Sequence, residues 1–192
     1  MLLARDGDDE AFDTLVRRHR GSVINFIYRF VGDREVAEDL SQDVFVRLWS
    51  NAPTYVPVAK FTTFLYHIAR NLCRDQMDKC RRLPSISSLS QETTDGSGRA
   101  HLLEEEVRDR GRGPQEELMM AETQAEIQAA ISELPEDQRL VFVLTEIQGL
   151  SYQETAEIAG CPVGTVASRK STALRFLRDR LARVQPEIGG VP

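Results

Sequence analysis

The segment from Leu150 to Leu181 constrains the fold of this chain more tightly than any other part of the sequence. Ser151 and Glu154 stand in the S-x-x-E arrangement of a capping box, which begins a helix. Gly160 follows where that short helix should end, and a glycine there permits the left-handed turn that a side chain would penalise. Pro162 suits the first turn of a second helix, because its missing N–H group is not needed there. The segment therefore predicts a helix-turn-helix, a motif whose second helix enters the major groove in DNA-binding proteins.

The second helix of this motif should bury Val166 and direct the other side chains of its N-terminal half outward. Arg169 can bind a guanine edge or a phosphate there. Lys170 stands where an apolar side chain would improve the buried stripe, so we expect it to reach a phosphate or water. An ordinary αα-hairpin without DNA binding is the alternative interpretation. The candidate contacts to DNA are Thr165, Ala167, Ser168, Arg169 and Thr172.

Apolar residues recur at helical spacing through most of the remaining sequence. They predict three N-terminal helices and two more before the helix-turn-helix, each ended by glycine, proline or asparagine. No segment alternates apolar and polar residues in a sustained way, so the predicted class is all-α, with two small helical domains joined by a flexible acidic linker. The predicted helices cover residues 11–31, 34–50, 60–82, 116–134 and 138–147. The predicted divisions are a domain at 1–83, the linker at 84–114, the C-terminal helix-turn-helix domain at 115–184 and a tail at 185–192.

The charges of this 192-residue chain are segregated, although its net charge is only −6. Residues 60–82 carry six Lys and Arg against two acids, net +4, and residues 162–183 carry six against one, net +5. Residues 84–126 carry ten acids against four Arg, net −6, and residues 127–161 carry six acids against one Arg, net −5. Two basic segments separated by an acidic one predict two attachment points for a polyanion. In the free chain the basic helices could also fold back on residues 127–161 or on the linker at Glu104, Glu105 and Glu106.

Several classes of protein are disfavoured by what the sequence lacks. No stretch approaches the roughly 20 apolar residues needed to cross a bilayer, and the N-terminus does not read as a signal peptide. Cys73, Cys80 and Cys161 form an odd set without a CxxC pair, which suits a reducing compartment. No His, Asp and Glu cluster has metal-ligand spacing, and no nucleophile–base pair or phosphate loop is evident. We therefore expect a cytoplasmic protein that is not an enzyme, takes no metal or cofactor and does not insert into a membrane.

Three stretches of the sequence read FDTLVRRHRGSVINFIYRFVGDREVAEDLSQDVFVRLW, FTTFLYHIARNLCRDQMDKCRR and LPEDQRLVFVLTEIQGLSYQETAEIAG, the last followed by PVGTVASR. The first two resemble region 2, and the third resembles region 4, of the extracytoplasmic-function (ECF) sigma factors of bacterial RNA polymerase, in the sigma-70 family. The resemblance implies a transcription initiation factor that binds the polymerase core, places region 4 on the −35 promoter element and places region 2 on the −10 element. The partners it implies are the β′ clamp helices and β flap of the core, promoter DNA and an anti-sigma factor.

The second predicted helix carries the stretch DLSQDVF, which matches the family surface that docks on the β′ clamp helices. Asp39, Gln42 and Asp43 share one face of this helix, because they stand at i, i+3 and i+4. Acids and an amide suit a basic partner, and two aromatic residues one turn apart could add an apolar anchor. A solvated acidic face is the alternative. The expected core-polymerase-binding residues are Asp39, Gln42, Asp43, Phe45 and Trp49.

The third predicted helix, with the loop at 51–59 before it, is where the resemblance places −10 recognition. Polar and basic residues lie broadly on the face opposite its apolar stripe. Asn71 can read a base edge, Tyr66 can stack on an unpaired base and the arginines can neutralise phosphates. Core packing is the alternative for Tyr66. The expected contacts to −10 DNA are Tyr66, His67, Arg70, Asn71 and Arg74.

Two other functions compete with this interpretation. A helix-turn-helix regulator that acts without being a polymerase subunit accounts for residues 150–183, but it gives no role to DLSQDVFVRLW or to the basic third helix. A helical enzyme would need a ligand cluster or a nucleophile–base pair, which the sequence does not provide.

Overall fold

The computed structural model describes residues 1–82 and 114–184. These residues form helices joined by short connections, and no strand occurs among them, which confirms the predicted all-α class. The predicted linker at 84–114 lies almost wholly outside the described residues, and the tail at 185–192 lies wholly outside them. Within the described ranges, no helix has both the length and the apolar character required to cross a membrane.

The helices of the N-terminal half, residues 1–82, begin and end where the sequence places capping residues. The Asp8 carboxylate accepts a hydrogen bond from the Ala11 amide at 2.9 Å, and the Asp33 carboxylate accepts one from the Val36 amide at 3.0 Å. Between the two helices Gly32 has a φ of 89°, a left-handed conformation that ends a helix. The elements are α1 (Leu2–Arg5), α2 (Asp9–Val31), α3 (Arg34–Ser50), a 3-10 turn (Ala52–Thr54) and α4 (Phe61–Arg82).

The C-terminal half, residues 114–184, contains the predicted helix-turn-helix. The Ser151 hydroxyl accepts a hydrogen bond from the Glu154 amide, while the Glu154 carboxylate accepts one from the Ser151 amide, so the capping box is complete. Gly160 has a φ of 64° at the turn, and Val166 is fully buried behind it. These observations confirm the predicted motif. The elements are α5 (Pro114–Ser132), α6 (Glu136–Phe142) continued by a π-helical turn (Val143–Ile147), α7 (Tyr152–Ala159) and α8 (Val163–Val184).

One continuous apolar core joins the two halves. Large side chains buried in this core come from both sides of the boundary. Helices α2 and α4 supply the contacts on the N-terminal side, and α5, α7 and the π-helical turn supply them on the other. Burial of large apolar side chains is the main force that holds one half against the other. The core includes Phe26, Leu48 and Leu65 from the N-terminal half and Ile131, Leu144 and Ile158 from the C-terminal half.

A half-buried guanidinium reinforces this packing. Arg139 donates one hydrogen bond to the carbonyl oxygen of Phe30 at 2.6 Å and others to the carbonyl oxygens of Ser132 and Leu134, at 2.5 and 3.1 Å. Phe30 lies in the last turn of α2, and Ser132 ends α5. Because the last carbonyl groups of a helix lack partners within it, a single cation here satisfies the ends of two helices from different halves.

Candidate nucleic-acid and partner interfaces

A polar and apolar strip is exposed along one side of α3. Asp39, Gln42 and Asp43 are all exposed, as their spacing predicts. Val46 and Trp49 follow at successive turns, with 62% and 43% of their surface exposed. We call these five residues the docking face. The sequence analysis missed Val46. This residue stands seven positions after Asp39, about two helical turns along, and that spacing could have placed it on the same face.

Phe45 does not belong to the docking face. It is buried in the core with only 8% of its surface exposed, so the expectation that it anchors a partner is wrong in this conformation. Its neighbours Val44 and Leu48 are buried on the same side of α3, and the ring follows them inward. Trp49 stays outside, and its ring packs against Phe12 in a T-shaped arrangement with a centroid distance of 4.7 Å.

Tyr66 also lies in the core, although it was placed on the outer face of its helix. Only 4% of its surface is exposed, and its ring meets Phe26 at a centroid distance of 5.2 Å. Its hydroxyl donates a hydrogen bond to the side-chain oxygen of Gln148 at 2.6 Å, and burial raises the pKa of the phenol. Helix α4 is covered by α2 and α3 on one side and by α7 on another, so less of it is exposed than its sequence pattern predicted. In this conformation the Tyr66 ring has no free face for a base.

The exposed part of α4, the end of α3 and the loop that follows α3 line a cleft of about 500 Å³. His67 and Asn71 belong to this lining, with the Asn71 amide nitrogen 3.3 Å from the His67 Nδ1 atom. Tyr55 and Phe64 contribute an aromatic pair to it, with ring centroids 5.3 Å apart. Arg47 of α3 adds a cation to the lining. Tyr55 was missed by the sequence analysis, although an aromatic residue between two loop prolines could have drawn attention to it.

The basic residues of α4 contact acidic and carbonyl groups of the C-terminal half. Glu136 lies 3.6 Å from the Arg74 guanidinium and 3.1 Å from that of Arg81. Arg70 donates a long hydrogen bond of 3.5 Å to the carbonyl oxygen of Ala159, and burial lowers the pKa of this arginine. Lys60, just before α4, is 3.1 Å from the Glu154 carboxylate. All these partners lie within residues 127–161, which confirms that the basic helices fold back on this acidic segment.

The N-terminal part of α8 presents a small polar surface. Ala167 and Ser168 are exposed, whereas Thr165, Arg169 and Thr172 are half-buried. The hydroxyl groups of Ser168 and Thr172 donate to carbonyl oxygens of their own helix, each at 3.0 Å. The Arg169 guanidinium is 2.5 Å from the Asp137 carboxylate of α6. The acidic segment at residues 127–161 therefore forms ion pairs with α8 as well as with α4.

Lys170 turns toward the protein. Its ammonium group is 2.5 Å from the Glu146 carboxylate and 5.0 Å from the centre of the Tyr152 ring. Hydrogen bonds to Glu146 and Tyr152 raise the pKa of the amine. A contact to phosphate or water, which the sequence suggested, is thus replaced by an ion pair that joins α8 to the π-helical turn. Elsewhere in the described residues, no group of three or more His, Cys, Asp and Glu side chains could hold a metal ion.

The arrangement of these helices agrees with comparisons to known proteins. Residues 15–83 match the family described as Sigma-70 region 2, and residues 124–177 match Sigma-70, region 4. The chain is 32% identical to the RNA polymerase sigma-H factor of Pseudomonas aeruginosa over 163 residues, which cover 85% of this chain and 82% of that one. It is 33% identical to the ECF RNA polymerase sigma factor SigW of Bacillus subtilis, with 92% of each chain covered. The chain belongs to the ECF sigma factors.

Solved structures share the fold of this sigma factor. CnrH, determined in complex with the cytosolic domain of CnrY, is 25% identical with a TM-score of 0.66, and the match covers 94% of each chain. The sigma factor RpoE of Bartonella quintana, determined in complex with the anti-sigma factor NepR, has a TM-score of 0.67 at 24% identity, over 90% of this chain and 97% of that one.

Family membership settles the general function. This sigma factor is a transcription initiation factor that directs RNA polymerase to promoters. A regulator that acts without the polymerase is not favoured, because the region 2 match accounts for α2, α3 and α4, to which that alternative gives no role. The two family matches and the ECF relatives confirm the resemblance stated from the sequence. Sigma factors as a family are non-enzymatic initiation factors.

Proposed function

We propose that this sigma factor uses three separate surfaces during initiation: the docking face for the polymerase core, the cleft beside α4 for the −10 element and the exposed start of α8 for the −35 element. The observation that carries the proposal is that the docking face and the cleft lie on the same half of the chain and are both exposed. A promoter held in the cleft would then be presented by the half that docks on the polymerase.

The docking face combines the chemistry that a basic partner with an apolar patch requires. Two carboxylates and an amide can bind cations and hydrogen-bond donors, while Trp49 and Val46 offer apolar area that water covers in the free chain. Exposed tryptophan is among the side chains that contribute most to protein interfaces. The β′ clamp helices of the core are the partner proposed for this face, and the β flap is the partner proposed for the C-terminal half.

Charge reversal on the docking face tests this assignment. Asp43→Arg should weaken equilibrium binding to core polymerase by about fivefold or more, because it places a cation against a basic surface. Glu122→Arg, an exposed acid on α5, makes the same change in net charge and should bind as the wild type does. If both variants bind equally well in a core titration, the docking face is assigned incorrectly.

The cleft beside α4 suits a base that has left the DNA stack. Its volume of about 500 Å³ accommodates a nucleobase, the Tyr55 and Phe64 rings offer apolar faces, and the Asn71 amide can donate to and accept from a base edge. Arg47, which also lines the cleft, can bind a phosphate. We therefore keep His67, Asn71, Arg70 and Arg74 as contacts to −10 DNA, add Tyr55 and Phe64, and leave Tyr66 out.

Removal of the Asn71 amide separates melting from initial binding. Asn71→Ala in the holoenzyme should reduce open-complex formation more than it reduces closed-complex binding, because only an unstacked base reaches the cleft. The matched control is Gln76→Ala, which deletes an amide on the same helix outside the cleft. Permanganate footprinting gives the readout: thymine reactivity in the bubble should fall for the first variant only, and normal reactivity for Asn71→Ala contradicts the proposal.

The start of α8 is proposed to contact the −35 element. Ala167 and Ser168 are exposed and can contact DNA directly, and the half-buried Thr165 and Thr172 lie near them in the sequence. The Arg169 guanidinium pairs with Asp137, so this ion pair competes with a guanine or a phosphate for its donors.

An anti-sigma factor is the further partner that we propose, with the docking face as its target. Two proteins of this fold were determined in complex with a protein partner: CnrH with the cytosolic domain of CnrY, and the sigma factor RpoE with the anti-sigma factor NepR. A cytoplasmic location and the absence of bond chemistry by this chain belong to the same proposal.

A further inference from the structure

We propose that the surface that binds the polymerase core continues beyond the docking face onto α1, where Leu2 and Leu3 supply a second apolar contact. The partner is the same pair of β′ clamp helices, so the inference rests on the proposed role of the docking face. It adds an element that the family match leaves without a function, because α1 ends at Arg5 and the match to Sigma-70 region 2 begins at residue 15.

The first support is the exposure of two adjacent leucines. Helix α1 is anchored by Ala4, which is buried, and by Met1, which packs against the apolar core. Leu2 and Leu3 turn the other way and have 45% and 64% of their surface exposed. Burial of a leucine side chain is favourable, so this pair is apolar area that a partner can cover.

The second support is the position of α1 beside the docking face. Helix α1 packs against α2 and against the 3-10 turn at Ala52–Thr54. That turn follows directly after α3, whose last turn carries Trp49, and the Trp49 ring packs against Phe12 near the start of α2. The elements that contact α1 are therefore the elements that surround Trp49. Helix α1 lies at the Trp49 end of the docking face.

The third support is that the chemistry of the docking face recurs at α1. Four exposed carboxylates follow the leucines in the connection to α2 and in its first turn: Asp6, Asp8, Asp9 and Glu10. Asp6 pairs with Arg5, and Asp8 caps α2. Asp9 and Glu10 have no ion-pair partner among the described residues. Free carboxylates beside apolar side chains complement a basic partner with an apolar patch, which is the partner proposed for the docking face.

The size of the docking face gives the fourth support. A stable protein interface takes in about 20 to 30 residues on each side, and the docking face has five, so a partner seated there must also cover adjacent surface. Residues 1–82 expose four other large apolar side chains. Two of them, Val56 and Val58, line the cleft proposed for −10 DNA. Leu2 and Leu3 are the two that are left for the polymerase core.

Replacement of both leucines tests the inference. Leu2→Gln/Leu3→Gln removes the apolar area, and because glutamine is nearly as good a helix former as leucine, α1 should persist. We expect the full-length double variant to bind core polymerase about three- to tenfold more weakly than the wild type in an equilibrium titration. Thermal unfolding of the free chain should be unchanged, since both side chains are exposed. Equal core affinity of the double variant and the wild type would overturn the inference.

The salt dependence of the defect identifies its physical origin. Apolar burial is not screened by ions, so the loss of affinity should be the same at about 50 mM and about 300 mM salt. The loss expected for Asp43→Arg should shrink over the same range, because it arises from charge. A defect of Leu2→Gln/Leu3→Gln that disappears at the higher salt concentration would contradict an apolar contact.

The matched control is Arg5→Gln, an exposed substitution in the same short helix that leaves both leucines in place. It should bind the core at least as tightly as the wild type, because it removes a cation from a surface that faces a basic partner. A loss as large as that of the double variant would show that any change in α1 has this effect, and it would overturn the role of the leucines.

Photochemical cross-linking identifies the subunit that covers α1. Replacement of Leu3 by the photoreactive residue p-benzoylphenylalanine should give, in the assembled holoenzyme, a cross-link to β′. A cross-link to another subunit, or none, would overturn the assignment of the partner.

Asp43→Arg separates failure of this inference from failure of the proposed function. If Asp43→Arg weakens core binding and the leucine variant does not, the docking face stands and its continuation onto α1 is wrong. If Asp43→Arg binds as the wild type does, the docking face itself is wrong, and the inference falls with it.

Discussion

At the scale of single residues, a few polar side chains form hydrogen bonds that join the two halves. Arg139 collects three carbonyl groups from the ends of α2 and α5 and the connection after it. Burial lowers the pKa of its guanidinium, yet arginine remains charged at any physiological pH. Its hydrogen bonds are therefore charge-assisted, the stronger kind, and their loss leaves partly buried carbonyl groups without a donor.

Replacement of this arginine should destabilise the protein measurably. Arg139→Met keeps much of the apolar volume but removes all three hydrogen bonds, and we expect the free energy of unfolding to fall by about 2–4 kcal/mol. Urea denaturation followed by circular dichroism measures the change. Arg82→Met, an exposed arginine at the end of α4, is the control and should shift the midpoint little. Similar midpoints for the two variants would show that the carbonyl groups find water instead.

The residues that sequence reasoning placed correctly are those whose roles are local. Ser151 and Glu154 form their capping box within one turn, and Asp39 and Asp43 share a face that helical geometry alone determines. Phe45 was misplaced although it lies beside Val44 and Leu48 on the buried side of α3. Tyr66 was misplaced because its burial depends on helices distant in sequence, and spacing along one helix does not contain that information.

At the scale of elements, helix ends followed the sequence closely because glycine, proline and capping residues act over a few positions. The π-helical turn at Val143–Ile147 did not, since apolar spacing predicted an ordinary helix there. It is defined by the bond from the Gln148 amide to the Val143 carbonyl oxygen at 3.0 Å, five residues back. This wider turn ends at Gln148, the residue that binds Tyr66 of the other half.

Two glycines of the helix-turn-helix should respond in opposite directions to the same substitution. Gly160 has a φ of 64°, whereas Gly164 lies at the start of α8 without a positive φ. A Cβ atom added at either position would meet no atom within 4 Å, so neither substitution causes a steric clash. Gly160→Ala should therefore lower the free energy of unfolding by about 1 kcal/mol through backbone strain, whereas Gly164→Ala should raise it by about 0.5 kcal/mol. Thermal unfolding of both variants gives the comparison. Shifts of the same sign would contradict the assigned conformations.

At the scale of the whole molecule, the two halves could be predicted but their packing could not. Contacts such as Tyr66 with Gln148 join residues that lie 82 positions apart, and no local pattern encodes such a pair. The charge pattern did indicate which segments attract one another, because opposite net charges act without a defined geometry. It did not indicate that the halves also share an apolar core.

Acid should weaken the whole assembly through Glu154. Hydrogen bonds from the Ser151 hydroxyl and amide, with help from Lys60, lower the pKa of this carboxyl group in the folded protein. A lowered pKa means that the carboxylate stabilises the fold above the ordinary glutamate pKa, and that this contribution is lost as the pH falls through the folded value. We expect the free energy of unfolding of the wild type to fall more steeply between about pH 5 and pH 3 than that of Glu154→Gln. Parallel curves for the two proteins would contradict this role.

The position of Trp49 gives this sigma factor an optical reporter of its own. The sequence contains one tryptophan. When the exciting light is of a wavelength that tyrosine does not absorb, the intrinsic fluorescence therefore comes from a single site on the docking face. With 43% of its surface exposed and Phe12 packed against it, Trp49 emits from a partly hydrated environment. Transfer of the ring into a dry protein contact shifts such emission toward the blue. The arrival of a protein partner at this face can therefore be followed in real time with an unlabelled chain, against a partner whose own tryptophans are replaced or spectrally separated.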